Sequence, residues 1–227
     1  MNRVSVVMIA RNAESTIAET IESVLTQTKR AHEIIVVNDG SIDRTREIAS
    51  CFPVKILDKV HDDRGIGVVR NVGFAAATGD LFLPLDSDDI LAPTFIEKTV
   101  PLMVDEVGIV CTDMQYFGIE NNYIKSWSIL GREMTFEDEC HYNNIPVSSL
   151  IRRSAFEQVG GYHPELPGHE DWNLWISILA KGWKVGVIHE PLFFYRRRHN
   201  SLADSDARRG KLLDAKMREI HGDIFKP

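Results

Sequence analysis

Seven residues near the start, Val4–Ala10, contain one polar side chain, Ser5, in a run otherwise apolar and rich in β-branched residues. A strand of that kind has no face to offer water, so it belongs inside a largely parallel sheet with helices covering both sides. The next segment supplies one cover. From Glu14 to Gln27, Ile17, Ile21, Val24 and Leu25 recur at helical spacing, and Thr16 with Glu19 has the spacing of a capping box. Ile34–Val37 predicts a second buried strand that ends at Asn38-Asp39-Gly40-Ser41, where Gly40 permits a tight turn and Ser41 can cap the following helix. A short helix from Ile42 to about Ser50, a strand over Val54–Leu57, a helix of small residues over Gly65–Ala77 and an apolar run over Leu81–Leu85 continue the alternation. Consecutive βαβ units predict an α/β fold with a mainly parallel, Rossmann-like central sheet flanked by helices.

Beyond that run, Ala92-Pro93-Thr94 starts a further helix with proline at a first-turn position. Val107–Thr112 is a strand, and Tyr116–Ile129 alternates irregularly between strand and loop. Ser154 and Glu157 have capping-box spacing before a helix stopped by Gly160-Gly161. His169-Glu170-Asp171 leads into an apolar helix carrying Trp172, Leu174, Trp175, Ile178 and Leu179, which ends at Gly182. Strands over Val185–His189 and Leu192–Tyr195 follow, then a polar helix from Ser201. Two units are expected, a domain over residues 1–200 and a helical tail over 201–227.

Charge and cysteine usage remove several functions. A net charge of -7 argues against sequence-independent nucleic-acid binding, which needs a surplus of cations facing phosphates. The three cysteines, Cys51, Cys111 and Cys140, are far apart and lack C-x-x-C spacing, so they suggest neither zinc nor a disulfide framework and fit a reducing, cytoplasmic compartment. Met1–Ala10 has the apolarity of a short signal segment, but Arg11-Asn12 and an amphipathic helix follow it, as after a first strand. No apolar run approaches the roughly 20 residues that span a bilayer.

Three groups of acids stand at the ends of these elements. The run ending at Leu85 delivers Asp86, Asp88 and Asp89 together; Asp39 follows the second strand; Glu170 and Asp171 open a late helix. Ligands of open α/β sheets bind beyond the carboxyl ends of strands. Hard divalent cations such as Mg²⁺ or Mn²⁺ take one or two carboxylates plus substrate phosphate oxygens, so Asp86 and Asp88 either hold a metal against a phosphorylated ligand or cap a solvated loop. Asp39 either accepts from a base or ribose or serves the turn. Asp171 is either a general base or a favourable partner of the helix dipole.

In this order the motifs are similar to those of family 2 glycosyltransferases: Val4–Asn12, Val36-Val37-Asn38-Asp39-Gly40-Ser41, Arg70-Asn71-x-Gly73, Leu85-Asp86-Ser87-Asp88-Asp89, Gly160-Gly161-Tyr162 and Glu170-Asp171-Trp172. The resemblance runs from Val4 to about Ser201 and implies a GT-A fold, its sheet mixed at the edge, and inverting transfer of a hexosyl or N-acetylhexosaminyl unit in polysaccharide or glycoconjugate synthesis. It implies a nucleotide-diphosphate sugar as donor, a UDP-sugar favoured, and a carbohydrate or lipid-linked acceptor. Under it Ala10, Asn12, Asp39 and Arg70 serve the nucleotide, with Asp39 at the base. Asp86 lies by the ribose and metal, Asp88 ligates a divalent Mn²⁺ or Mg²⁺, and His199 approaches the metal or diphosphate. Asp171 deprotonates the acceptor hydroxyl, with Glu170 raising its proton affinity or binding the acceptor. Arg11 departs from the pattern, standing where many relatives carry an aromatic residue that packs on the base.

Residues 196–218 carry a basic surplus, which fits either peripheral contact with anionic lipid at the inner membrane face or a solvated helix face. Two rival readings stand beside the transferase: a nucleotide-sugar-binding domain without transfer activity, and a phosphatase of the haloacid-dehalogenase type using Asp86-Ser87-Asp88.

Overall fold

A computed structural model describes residues 2–61, 65–119, 121–124, 128–129, 132–133, 135–198 and 202–225. In chain order the elements are β1 (Val4–Ala10), α1 (Ile17–Leu25), β2 (Glu33–Asp39), α2 (Thr45–Ala49), β3 (Lys55–Lys59), α3 (Ile66–Ala75), β4 (Leu81–Asp86), β5 (Ile90–Leu91) and α4 (Phe95–Thr99). Then come β6 (Val107–Gly118), β7 (Tyr123–Ile124), β8 (Ser128–Ile129), β9 (Arg132–Glu133), α5 (Phe136–Glu139), β10 (Leu150–Arg152), α6 (Arg153–Gln158), α7 (Glu170–Ala180), β11 (Lys184–Arg197) and α8 (Leu202–His221). The main sheet has the order β3-β2-β1-β4-β10-β6-β11-β5, with β7 added on β6.

β1 is central to the parallel half, with β2 on one side and β4 on the other. All seven of its residues are buried. Val4, Val6, Met8 and Ala10 face the core that holds Ile17, Ile21 and Val24 of α1, whereas Val7 and Ile9 face the core that holds Val69 and Phe74 of α3 and Leu174, Trp175 and Ile178 of α7. The apolar run is thus used on both faces, and each fully buried side chain contributes about 1.5–3 kcal/mol. Ser5, its one polar residue, donates to Glu33 at 2.6 Å and accepts from the Gly79 N–H at 2.8 Å. The small residues of α3 let the helix lie close: a Cβ on Gly73 would stand 2.3 Å from Val7. Antiparallel pairing enters at β10, which joins β4 at Leu81 and Phe82, short of Pro84. Proline in an inner strand normally costs a ladder bond; here it falls where β4 has passed its β10 partner.

Four local expectations are corrected. Thr16 makes no side-chain cap; its hydroxyl donates to the Ala13 carbonyl at 3.5 Å, and the Glu19 carboxylate pairs with Arg196. Ser41 does not cap α2; its hydroxyl accepts from the Asn12 N–H at 3.1 Å, and Asp43 takes the Thr45 N–H at 3.0 Å. α6 starts at Arg153, so Ser154 lies inside it, and a complete capping box occurs instead at Thr135 and Asp138 ahead of α5. The two late strands are one, β11, whose register shifts between Ile188 and Pro191 absorb the proline and keep it parallel to β6. At the C-terminal end, Met217 and Phe225 join Cys140, Leu166, Trp172 and Ile176 in a third cluster, so the end of α8 packs on α7. Among the described residues no helix is long and apolar enough to cross a membrane.

Candidate active site

β1, β2 and β4 are parallel neighbours, so their carboxyl ends open on one edge of the sheet: Ala10 pairs with Asn38, and Ile9 with Asp86. Asp39 ends β2 and is buried. Its Oδ1 accepts from Lys59 Nζ at 3.0 Å, and its Oδ2 lies 2.5 Å from His61 Nδ1. Arg11 Nη1 is 2.6 Å from His61 Nε2, so a ring with its proton on Nδ1 satisfies both contacts. Gly40 turns the chain at φ +66, and a Cβ there would stand 2.9 Å from His61 Cβ. Asn12, itself left-handed at φ 51, accepts from the Ile42 N–H at 2.9 Å and ties the loop after β1 to the loop after β2.

Arg70 lies beneath this edge, 1% exposed on α3. Its Nη2 donates to Asp86 Oδ1 at 2.7 Å, its Nη1 donates to Glu170, and its guanidinium carbon sits 5.5 Å from the centre of the Tyr162 ring. Burial works against the charge, but Asp86 and Glu170 outweigh it and hold the group protonated. One cation therefore joins the end of β4 to the start of α7. Removing one partner from a buried pair of this kind costs about 3–5 kcal/mol, because a charge is left unpaired.

The three aspartates after β4 have separate surroundings. Asp89 is buried and accepts the Arg196 N–H at 2.8 Å, while Arg196 Nε donates to the Asp88 carbonyl at 2.7 Å and Nη2 to Glu19. Asp89 thus anchors β11 across the sheet edge. Asp88 is partly exposed and pairs with Arg198. Burial and then Asp86 push its carboxyl above the usual range, and Arg198 opposes them.

Across Arg70, Asp171 accepts its neighbour's Trp172 N–H at 2.7 Å and the Asn143 side chain at 3.4 Å. It keeps part of its surface open to solvent. Burial of the rest, and next the adjacent Glu170, push its carboxyl up to about 7, against the pull of Arg70. Glu139 of α5 is fully buried, takes the Asn144 N–H at 3.4 Å and is raised well above the carboxylate range by burial. The carbonyl of Glu139 accepts from Trp172 Nε1 at 2.7 Å, which clamps α5 to α7 just beside Asp171.

The site combines a buried carboxylate at Asp39, neighbouring carboxylates at Asp86 and Asp88, and Asp171, a carboxyl pushed up to about 7. The family described as Glycosyl transferase family 2 matches residues 5–160. The chain is a family 2 glycosyltransferase. Over 214 residues it is 31% identical to the Escherichia coli UDP-Glc:alpha-D-GlcNAc-diphosphoundecaprenol beta-1,3-glucosyltransferase WfaP, covering 86% of this chain and 78% of that one. Among solved structures it superposes on S. aureus TarS in complex with UDP-GlcNAc at a TM-score of 0.75 and 18% identity, over 89% of this chain and 61% of that one. It also superposes on the mannosyltransferase PcManGT from Pyrobaculum calidifontis in complex with GDP-Man and Mn2+, at 0.73 and 18%, over 94% of this chain and 62% of that one. The transferase thus has the GT-A fold, and it spans about three fifths of the length of those two solved chains. Family membership sets the phosphatase alternative aside.

In the transferase, Ala10, Asp39 and Asp86 come together on one edge of the sheet, Arg70 links Asp86 to Glu170, and Asp171 follows Glu170 on the same helix. Asn12 holds the loops that frame this edge. His199 lies outside the described residues. Lys59, His61, Asn143, Glu139 and Arg198 were not singled out by sequence, apart from Arg198 as one of a run of arginines, because only the fold brings them to the acids. Among the described residues no set of three His, Cys, Asp or Glu side chains could cage a metal. Two neighbouring carboxylates, Asp86 and Asp88, fit instead a hard cation that keeps waters and takes substrate phosphate oxygens.

Proposed function

We propose that this family 2 glycosyltransferase moves a sugar from a UDP-sugar to a hydroxyl of a lipid-linked or carbohydrate acceptor, in a single displacement that inverts the anomeric centre. One observation carries the reading: a carboxyl raised to about 7, Asp171, stands across a shared arginine from the Asp86–Asp88 pair. At neutral pH such a group is ionised in a useful fraction of molecules and is basic enough to accept a proton from an alcohol as it attacks. The acceptor oxygen forms its bond to the anomeric carbon while its proton passes to Asp171, and the bond from that carbon to the diphosphate breaks. A divalent cation at Asp86 and Asp88 would supply charge stabilisation for the departing diphosphate.

Asp39 meets the base, and Ala10, Asn12 and Arg11 border it. Arg70 acts indirectly, holding Asp86 and Glu170 in register rather than spending its charge on the nucleotide. The lipid-linked acceptor and UDP donor draw support from the E. coli relative, which is named as a UDP-Glc transferase acting on a diphosphoundecaprenol-linked sugar. The basic tail is proposed as a weak electrostatic tether to anionic lipid, since Lys211 and Arg218 are exposed on α8. Co-sedimentation with anionic vesicles that salt abolishes supports the tether; binding that salt leaves unchanged removes it.

The deciding experiment is a donor panel read by nucleotide-diphosphate release with Mn²⁺ or Mg²⁺ and a polyprenyl-diphosphate sugar acceptor. UDP release that needs acceptor and metal, with a product of inverted anomeric configuration, is expected. Release from a GDP-sugar alone moves the donor assignment, and a retained configuration overturns the single displacement. Nucleotide-sugar binding without any transfer supports the binding-domain alternative.

A further inference from the structure

The cation that pairs with Asp88 comes from the end of β11. Arg196, in β11, and Arg198, one residue past its end, both reach the loop after β4, whereas Arg197 lies against the Tyr116 ring at 5.6 Å. The two arginines are held very differently. Arg196 makes three hydrogen bonds, to Asp89, to the Asp88 carbonyl and to Glu19, and packs 4.3 Å from the centre of the Phe117 ring. Arg198 is half-exposed and, among the described residues, pairs with Asp88. It also follows the last ladder pair, Arg197 with Gly118, so no strand pairing fixes its backbone. A firmly anchored residue thus carries, two positions on, a loosely held cation aimed at a carboxylate assigned to the metal.

We propose that Arg198 is a placeholder: it neutralises Asp88 until donor and metal arrive, and it then releases Asp88 and turns its guanidinium to the diphosphate. This rests on the reading of Asp88 as a metal ligand. Arg198 holds Asp88 Oδ2, so a divalent ion entering alone brings its charge up against that guanidinium, whether it displaces Arg198 or shares the carboxylate with it. When the ion enters with a nucleoside diphosphate, the displaced guanidinium gains phosphate oxygens, which it can bind in bidentate fashion. Arg198 therefore opposes metal alone and favours metal with nucleotide. The consequence is positive coupling between the two ligands, and by linkage Mn²⁺ must raise UDP affinity by the same factor that UDP raises Mn²⁺ affinity.

The test titrates Mn²⁺ into the native chain, Arg198→Gln and Arg198→Lys, with and without UDP, following free Mn²⁺ by electron paramagnetic resonance. Because Arg198 is half-exposed, neither variant removes a core contact. UDP should raise Mn²⁺ affinity of the native chain by about 5- to 150-fold, the usual range of site coupling. In Arg198→Gln, Mn²⁺ alone should bind more tightly than to the native chain, and Mn²⁺ with UDP less tightly, so the coupling narrows from both sides to what direct contact of metal and diphosphate supplies. Arg198→Lys keeps the charge and should retain most of it. Native-strength coupling in Arg198→Gln, or weaker binding of Mn²⁺ alone, overturns the placeholder while leaving the metal reading intact. Absence of Mn²⁺ binding by every protein, with and without UDP, overturns both.

Discussion

Asp88 and Asp171 are pushed upward by the same two causes in the same order, burial and then a neighbouring carboxylate, which is Asp86 for the first and Glu170 for the second. They differ in what faces them. Asp88 looks onto a half-exposed cation, Arg198, and Asp171 accepts hydrogen bonds from neutral donors, the Trp172 N–H and the Asn143 amide. Arg70 stands between, spending its two amino groups on Asp86 and Glu170, one acid from each pair. A carboxylate crowded by another and paired directly with a cation is suited to exchange that cation; one crowded and hydrogen-bonded by neutral donors is suited to exchange a proton. On the proposed reading, the donor and acceptor sides of the site thus use one physical device for two ends.

Asparagine at each position is the largest break of that comparison. Asp171→Asn should lower turnover by about 10²–10⁴-fold, the usual worth of a general base, with UDP and Mn²⁺ binding at native strength. It should also stabilise the fold at pH 8. A carboxyl raised in the native state binds its proton more tightly there than in the unfolded chain, so native stability falls as pH rises from about 4 to about 7. The variant escapes that loss, and its melting midpoint at pH 8 should exceed the native one by at least about 2–4 °C, the shift that ~1 kcal/mol makes in a domain of this size. The difference should vanish towards pH 4. A lower midpoint at pH 8, or lost UDP binding, removes Asp171 from its role. Asp88→Asn should act on the other side, weakening Mn²⁺-dependent UDP binding by at least about tenfold, since even outer partners of a metal are worth 10–100-fold. Calorimetry with UDP and Mn²⁺ that matches the native chain would count against it.

The strand ends that carry these acids were legible because β1, β2 and β4 are short apolar runs between helices of clear period, and because the acids follow them at once. What joins the acids was not. Arg70 meets Glu170 across 100 residues and Arg198 meets Asp88 across 110, and no local pattern encodes such a meeting. β11 was divided because His189-Glu190-Pro191 reads as a break; the sheet instead takes it up as shifts of register. The capping box at Thr135 was missed since it lies in a stretch whose polar residues have no evident period, yet that stretch brings Asn143 and Glu139 to Asp171. Glu19 shows the opposite case: its spacing from Thr16 fits a cap, but the Thr16 N–H is already taken by the Ala13 carbonyl at 3.0 Å, and the Glu19 carboxylate meets Arg196 from far along the chain.

A finer division of the acceptor half comes from Glu170→Gln. The amide keeps a hydrogen-bonding oxygen for Arg70 and removes the negative charge beside Asp171, so Asp171 should ionise at lower pH. Turnover of the native chain should fall as pH drops through about 7, because a protonated Asp171 cannot accept the hydroxyl proton. In Glu170→Gln that acid limb should move to lower pH while the limiting rate at high pH changes little. An unmoved limb, or one shifted upward, would show that Glu170 acts on the acceptor and not on its neighbour's proton.

Asn143→Ala should give the smallest effect and the opposite sign. Its amide donates to Asp171 over 3.4 Å, a long contact, and by favouring the ionised form it lowers the carboxyl's pKa. Without it the acid limb should rise slightly in pH. The two variants together bracket Asp171 from both directions: one takes away a charge that resists ionisation, the other a dipole that assists it. If both moved the limb the same way, the residue titrating in the profile would be some other group, and the contrast between a cation-exchanging Asp88 and a proton-exchanging Asp171 would lose its acceptor half.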